Sequence, residues 1–435
     1  MRGFNGHICQ FVIAILCALC LSSCVFYNYP DDDENAKDVT PDTGMNREDQ
    51  TLIVLHISPL DAVNTPVNVG TTEKIKSLRI IIIGGSVIEC NRLIDLNVTA
   101  SETFKYIFTW STKPGAKEIY LIANEESVGA MSYQGVNNLP TTSLTDLLSQ
   151  YKENAEAGNF GEVMQAAYFS PAYTKDVTGN IFLPYTSYYK VEAGEKEHLQ
   201  RSMYLVPVAT KFMFKFVNHR TYPVEVDNIS VAQTNTCNFL FANMDNSEVE
   251  MKFADDDKSY YWIDWLAKVA EMSHSNSGSA GANEAFNNRY GWIKAYNMPT
   301  TTEAIVSAFL KPENFKTVPA VTTSGEEGKE GYTEEPGKLE LGPFYVPESR
   351  WEETYKDVGG NDVTEQIYRL TLGLIDQKPD ATAPEFEDVV ISNLKALFRN
   401  TSVVITITMA EGDVKIYAEI QDWNHKYANG WVTDQ

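Results

Sequence analysis

Cysteine and histidine are the side chains of this sequence best suited to covalent or metal chemistry, and their placement speaks against both in the body of the chain. Of six cysteines, four (Cys9, Cys17, Cys20 and Cys24) fall in the first 24 residues, leaving only Cys90 and Cys237 beyond. Cys17 and Cys20 have the C-x-x-C spacing of a redox or metal motif. They lie inside the apolar stretch Ile8 to Cys20, which reads as the core of an export signal and is discarded with it. The histidines His7, His56, His198, His219, His274 and His425 are scattered without metal-ligand spacing. Asp255-Asp256-Asp257 offers carboxylate oxygens to a hard cation, but the spaced loop and glycine of an EF-hand are missing, so a solvated turn is expected. There is no Gly-x-Ser-x-Gly elbow, no P-loop and no His-Glu-x-x-His. Acidic residues are too abundant to single out a glycosidase pair. Trp262, Trp265 and Trp292 have the rings to stack on sugars, though packing is the commoner fate of a tryptophan. The sequence supports no enzyme and calls for no cofactor and no metal.

The one residue with a chemical address is Cys24. Arg2 supplies a positive charge, the apolar stretch follows, and Leu21-Ser22-Ser23 puts two small residues ahead of the cysteine. That is the layout of a secretory signal cut between Ser23 and Cys24, and the stretch is shorter than the roughly 20 residues a membrane span needs. It resembles a type II signal peptide, which implies lipidation of the Cys24 thiol and acylation of its freed amine. Each buried methylene adds about 0.8 kcal/mol, so two or three chains anchor where one does not. The alternative is an ordinary secretory signal with an incidental cysteine.

Composition narrows the partners. With 35 basic and 59 acidic residues the formal charge is −24, which repels nucleic acid and anionic membrane. Cys90 and Cys237 look like members of different domains, and buried free thiols are expected rather than a disulfide.

The elements come next. Residues 1–23 are expected to be signal peptide and 24–50 a flexible acidic tether, with Asp31-Asp32-Asp33-Glu34 near its start. That cluster resembles the export tag of some surface lipoproteins; a merely solvated linker is the other reading. Thr51–Ser58 is an apolar, β-branched strand, followed by strands at Ile75–Ile83, Ser86–Asp95, Thr103–Trp110, Glu118–Ala123 and Ile181–Val191. Ser143–Tyr151 reads as a capped helix with Leu144, Leu147, Leu148 and Tyr151 on one face. A polar break at Glu192–Gln200 precedes a second β-rich region, where Phe212, Phe214 and Phe216 alternate with Met213, Lys215 and Val217. Its last pattern is a hairpin, Ser402–Met409 into Val414–Ile420, with Ile405, Ile407 and Met409 on one face. Ser273–Asn283 and Thr322–Lys338 read as long loops, and a short aromatic helix is expected near Tyr260–Ala270. The fold class is mainly β: an N-terminal β-sandwich over 51–197 and a C-terminal one over 198–435.

Short motifs recur in a telling order. They are T-L-I-V-L-H-I-S at Thr51–Ser58, K-I-K-S-L-R-I-I-I-I-G-G at Lys74–Gly85, E-I-Y-L-I-A-N at Glu118–Asn124 and L-P-Y-T-S at Leu183–Ser187. V-A-T-K-F-M-F-K-F at Val208–Phe216, V-D-N-I-S-V-A-Q-T-N-T-C-N-F-L-F at Val226–Phe241 and Y-R-L-T-L-G-L at Tyr368–Leu374 follow. R-N-T-S-V-V-I-T-I-T-M and A-E-I-Q-D-W at Ala418–Trp423 close the series. In this order behind a lipobox, they resemble the FimA/Mfa-type fimbrillins, lipoprotein subunits of type V pili. The resemblance implies two transthyretin-like β-sandwiches, an outer-membrane lipid anchor, other fimbrial subunits as partners, a role in adhesion and a possible host protein or glycan ligand. It also implies assembly in which a trypsin-like protease removes the first strand and a neighbour's C-terminal segment fills the groove by β-strand addition. Carried over, Thr51, Ile53, Leu55 and Ile57 mark the displaceable strand, and Trp423, Tyr427 and Trp431 the donor segment.

One departure bears on role. Pro59 to Glu73, where the cut belongs, contains no arginine or lysine. The nearest basic residues are Lys74, at the edge of the next strand, and Arg47, before the first. A cut at Arg47 frees the lipid and leaves the strand. The expectation is an anchoring or accessory subunit that keeps both. The alternatives are a polymerising stalk or tip subunit cut at Lys74, and a glycan-binding surface lipoprotein of a nutrient-uptake system.

Overall fold

Four consecutive isoleucines, Ile80–Ile83, dictate the layering of the first half of the molecule. Neighbours in a strand point to opposite faces, so such a run demands a sheet covered on both sides. In the computed structural model it lies in the strand Ser77–Gly84, with Ile80 and Ile82 in one core and Ile81 and Ile83 in another. The structure describes residues 51–59, 73–96, 106–129, 131–133, 143–170, 173, 182–195, 198–244, 296–297, 305–325, 327–349, 352–356, 359–366, 368–378, 385–391, 394 and 397–422. The signal and tether with Ser23, Cys24 and Arg47, the helix expected near 260–270, Trp262, Trp265, Trp292 and the donor residues Trp423, Tyr427 and Trp431 lie outside the described residues.

The first half runs through β1 (Thr51–Pro59), β2 (Ser77–Gly84), β3 (Val87–Asp95), β4 (Tyr106–Thr112), β5 (Gly115–Ala123), β6 (Met131–Tyr133), α1 (Leu144–Gln150), α2 (Phe160–Ala166), β7 (Ala167–Phe169), β8 (Tyr185–Ala193) and β9 (His198–Pro207). Seven strands form a sheet in the order β3-β2-β5-β8-β9-β1-β4. β8 and β9 share the pairs Tyr185↔Pro207 and Thr186↔Val206, and from that corner the sheet folds into two layers. Ile53, Leu55, Leu199 and Met203 on one layer meet Leu78, Ile80, Ile82, Ile119, Leu121 and Tyr189 on the other. Each such burial contributes about 1.5–3 kcal/mol. The two ends of the sheet meet through side chains: the Arg92 guanidinium on β3 lies 5.6 Å from the Trp110 ring centroid on β4, and the Thr112 hydroxyl donates to Glu89.

The outer face of β2, β5 and β8 is covered by the helices and by a small sheet of β6, β7 and β12 (Asn238–Phe239). Helix α1 is the expected one: Ser143 caps it by accepting from the Asp146 N–H at 3.1 Å, and Leu144, Leu147 and Leu148 are buried. Helix α2 was not expected, although Phe160, Val163 and Met164, all buried, stand at i, i+3, i+4 spacing.

The second half holds β10 (Thr210–Asn218), β11 (Val224–Thr234), β13 (Asn243–Met244), β14 (Tyr296–Asn297), β15 (Ile305–Leu310), β16 (Lys316–Val318), β17 (Thr322–Ser324), β18 (Thr333–Glu335), β19 (Gly337–Val346), β20 (Glu352–Lys356), β21 (Asp362–Gln366), β22 (Arg369–Asp376), β23 (Glu385–Val390), β24 (Thr401–Ala410) and β25 (Asp413–Asp422). Sheets β19-β10-β24-β25 and β15-β11-β22-β23 enclose one core, in which Phe212, Phe214 and Phe216 face Val226, Ile229, Leu370 and Leu372. The final hairpin pairs Ile407 with Ile416 and Met409 with Val414.

Two expectations need correction. The division after residue 197 cuts through the first sheet, because β9 pairs along its length with β1 and carries Leu199, Met203 and Leu205 into the first core. The polar stretch Glu192–Gln200 joins two strands of one sandwich, and the chain passes to the second sandwich at Val208–Ala209. Thr322–Lys338 is no plain loop either: Thr322–Ser324 pairs with Thr333–Glu335, and β19 begins at Gly337. Cys90 and Cys237 are free and buried.

Candidate assembly site

Strand β1 alternates strictly. Thr51, Ile53 and Leu55 are 0 % exposed and Ile57 1 %, while Leu52, Val54, His56 and Ser58 are half-buried on the other face. It is paired on both sides: antiparallel with β4 from Thr51↔Thr112 to Ile57↔Tyr106, and parallel with β9 from Leu52↔His198 to Pro59↔Leu205. The Thr51 hydroxyl donates to the Gly194 carbonyl, fastening the strand at its first residue. Without β1, β4 and β9 would face each other across a slot with one row of unpaired backbone on each wall. Three apolar pockets, those of Ile53, Leu55 and Ile57, would open onto the first core at every second position. Only an extended segment with small or branched side chains at alternate positions satisfies such a slot.

The connection from β1 to β2 leaves the described residues after Pro59 and re-enters them at Glu73. Glu73 is 8 % exposed. Its Oε1 accepts from the Tyr345 hydroxyl at 2.6 Å and pairs with the Lys211 ammonium at 2.8 Å. Tyr345 sits on β19 and Lys211 on β10, so the second sandwich holds the entrance to β2. Burial, and then the Glu73 charge, push the Tyr345 phenol well above the usual range.

The next residues are held by Asn124. Its side-chain amide donates to the carbonyls of Lys74 and Leu183, both at 2.7 Å, and its oxygen accepts from the Lys76 N–H at 2.8 Å. Asn124 adopts the left-handed conformation, φ 54°, which asparagine tolerates better than most residues. That turn lets a fully buried side chain reach two segments at once, residues 74–76 and Leu183. Ile75 is 5 % exposed, within the first core. Arg79, the next basic residue after Lys76, is no surface site: its Nε and Nη2 donate to the Glu125 carboxylate at 2.5 and 2.7 Å.

The structure thus brings Thr51, Ile53, Leu55 and Ile57 together as one buried row and sets Lys74 in a tied-down coil. Sequence reasoning missed Glu73, Asn124, Lys211 and Tyr345. Glu73 and Tyr345 are 272 residues apart, and no local pattern announces such a contact. The left-handed asparagine after an apolar strand was the one available signal.

No protein-family model matches the chain. No curated protein matches it in a sequence search. Among solved structures it is similar to the tip fimbrial protein Mfa3 of Porphyromonas gingivalis in C-terminally truncated form, at 12 % identity and TM-score 0.41, covering 86 % of this chain and 100 % of that one. It is also similar to a fimbrilin of Porphyromonas gingivalis W83, at 11 % identity and TM-score 0.36, covering 86 % and 97 %. A fimbrial assembly protein of Parabacteroides distasonis matches at 8 % identity and TM-score 0.34, covering 86 % and 98 %. Likeness at these values carries no conclusion about function.

Proposed function

We propose that this chain is a structural subunit of a surface fimbrium, lipid-anchored at Cys24 to the outer membrane, that keeps its first strand and serves as an anchoring or accessory member. The observation that carries this reading is the place of β1, fully paired between β4 and β9 with its whole inner row buried. A strand so placed is part of the sandwich, and its loss must be compensated by another strand. The lipobox, the ordered motifs and the lack of any arginine or lysine from Pro59 to Glu73 support a chain that retains it. With its own slot filled, such a subunit takes part in β-strand addition through its C-terminal segment, residues 423–435. One end of it is then lipid and the other is joined to a neighbouring subunit.

The test is the mature N-terminus. The protein is purified from cell surfaces and its first peptide identified by mass spectrometry, alongside radiolabelled palmitate incorporation in wild type and Cys24→Ala. Acylated Cys24 followed by an uncut β1 is expected. A mature chain beginning near Ile75 would overturn the anchoring reading in favour of a polymerising stalk or tip subunit.

A further inference from the structure

We infer that Glu73, held by Lys211 and Tyr345, is a latch that shields the Lys74–Ile75 peptide bond from proteolysis while the second sandwich stays docked on the first. The bearing of this on assembly rests on the reading above; the protection itself rests on contacts within the chain.

A protease takes its substrate as an extended segment whose backbone groups are free to pair with the enzyme. The residues flanking this bond are not free. On one side the Glu73 carboxylate is bound by a lysine and a tyrosine of the second sandwich. On the other, Ile75 is packed in the first core. The Lys74 carbonyl and, just past Ile75, the Lys76 N–H are both engaged by the buried Asn124 side chain. Cutting here requires residues 73–76 to lift out together, so the rate follows the population of that local opening. Each hold is on a different element, and releasing one leaves the other two.

The latch closes an otherwise conspicuous basic site to cleavage. Lys74 is the first lysine after β1, and a cut there would separate β1 from the rest of the chain. Retention of the strand then depends on docking of the two sandwiches as well as on the residue type at the bond. Anything that undocks the second sandwich removes Lys211 and Tyr345 from Glu73 together.

Limited trypsin digestion of the folded, full-length protein tests this, with cleavage at each bond followed over time by mass spectrometry. Lys329, exposed in the turn between β17 and β18, is the internal standard for an exposed site. Arg79, buried in β2, is the standard for global unfolding. In wild type, Lys329–Glu330 is expected to be cut at least about tenfold faster than Lys74–Ile75. In Glu73→Gln, Lys211→Met and Tyr345→Phe, cutting at Lys74 should accelerate severalfold relative to Arg79. Tyr345→Phe, which removes one hydrogen bond and keeps the ring, is the variant least prone to misfold and decides the matter if the others unfold. Two results overturn the latch: wild-type Lys74 cut as fast as Lys329, or variants in which Lys74 and Arg79 become susceptible only together. Neither bears on the mature N-terminus found in cells, so this test and the preceding one fail independently.

Discussion

Glu348 and Arg399 form an ion pair at 2.6 Å with both side chains 1 % exposed, in the seam between the two sandwiches. Arg399 also donates to the carbonyls of Phe239 at 2.8 Å and Leu240 at 3.3 Å, and Glu348 accepts from the Arg399 backbone N–H at 3.0 Å. The Glu348 N–H in turn donates to Asn238 at 2.7 Å. Asn238, Phe239 and Leu240 on one side and the segment leading into β24 on the other are therefore tied to one charged pair.

Removing one partner strands the other charge in the interior, at a cost of about 3–5 kcal/mol. Arg399→Met and Glu348→Gln are each expected to lower the denaturation midpoint strongly. The double variant should be less damaged than the sum of the two, because it leaves no uncompensated charge. Guanidinium unfolding of all four proteins measures the coupling.

The inner row of β1 should be costly to truncate and the outer row cheap. Leu55→Ala is expected to destabilise by about 2–5 kcal/mol, since the slot between β4 and β9 cannot collapse around the cavity. His56→Ala, on the half-buried outer face, should stay within about 0.5 kcal/mol. Equal effects in a denaturant titration would contradict the placement of β1.

Alkaline pH should loosen the molecule. Burial raises the phenols of Tyr120, Tyr188 and Tyr345 above the ordinary tyrosine value, with Glu118 adding to the first two and Glu73 to the third. A folded-state pKa raised above the unfolded one leaves its contribution intact below pH about 10 and lost progressively above it. Stability is thus expected to be level at neutral pH and to fall as tyrosinate absorbance rises, with a shallower fall in Tyr345→Phe.

The two thiols of the body should be inert in the native state. Cys90 and Cys237 are buried without a disulfide, and burial pushes both thiols up, away from the reactive thiolate. Alkylation by iodoacetamide should modify neither without denaturant and both in it. A native-state adduct at Cys90, which is 0 % exposed, would show that β3 opens.

Much of the architecture is local enough to read from residue order. Period-two alternation at Phe212–Phe216, the hairpin around Ala410–Asp413 and the leucine face of α1 each need only neighbouring residues, and the structure has them as expected. The isoleucine run announced a strand but not its covering layer, because a buried strand and its lid are separated in sequence. The boundary between sandwiches was misplaced for a similar reason. A charged stretch at Glu192–Gln200 resembles a linker, yet β9 returns to pair with β1, a parallel partner some 140 residues earlier that no local signal specifies.

Taken alone, the sequence determined that this is an acidic, mainly β chain with a cysteine at 24 behind an apolar stretch, an alternating first strand and no basic residue in the connection after it. Those are properties of composition and short-range order. Only the tertiary structure decided that β1 is held on both sides, that Glu73 answers to Lys211 and Tyr345, and that one buried asparagine ties down Lys74. Such contacts join residues tens to hundreds of positions apart, and their energy comes from desolvation and pairing that exist only once the sandwiches close.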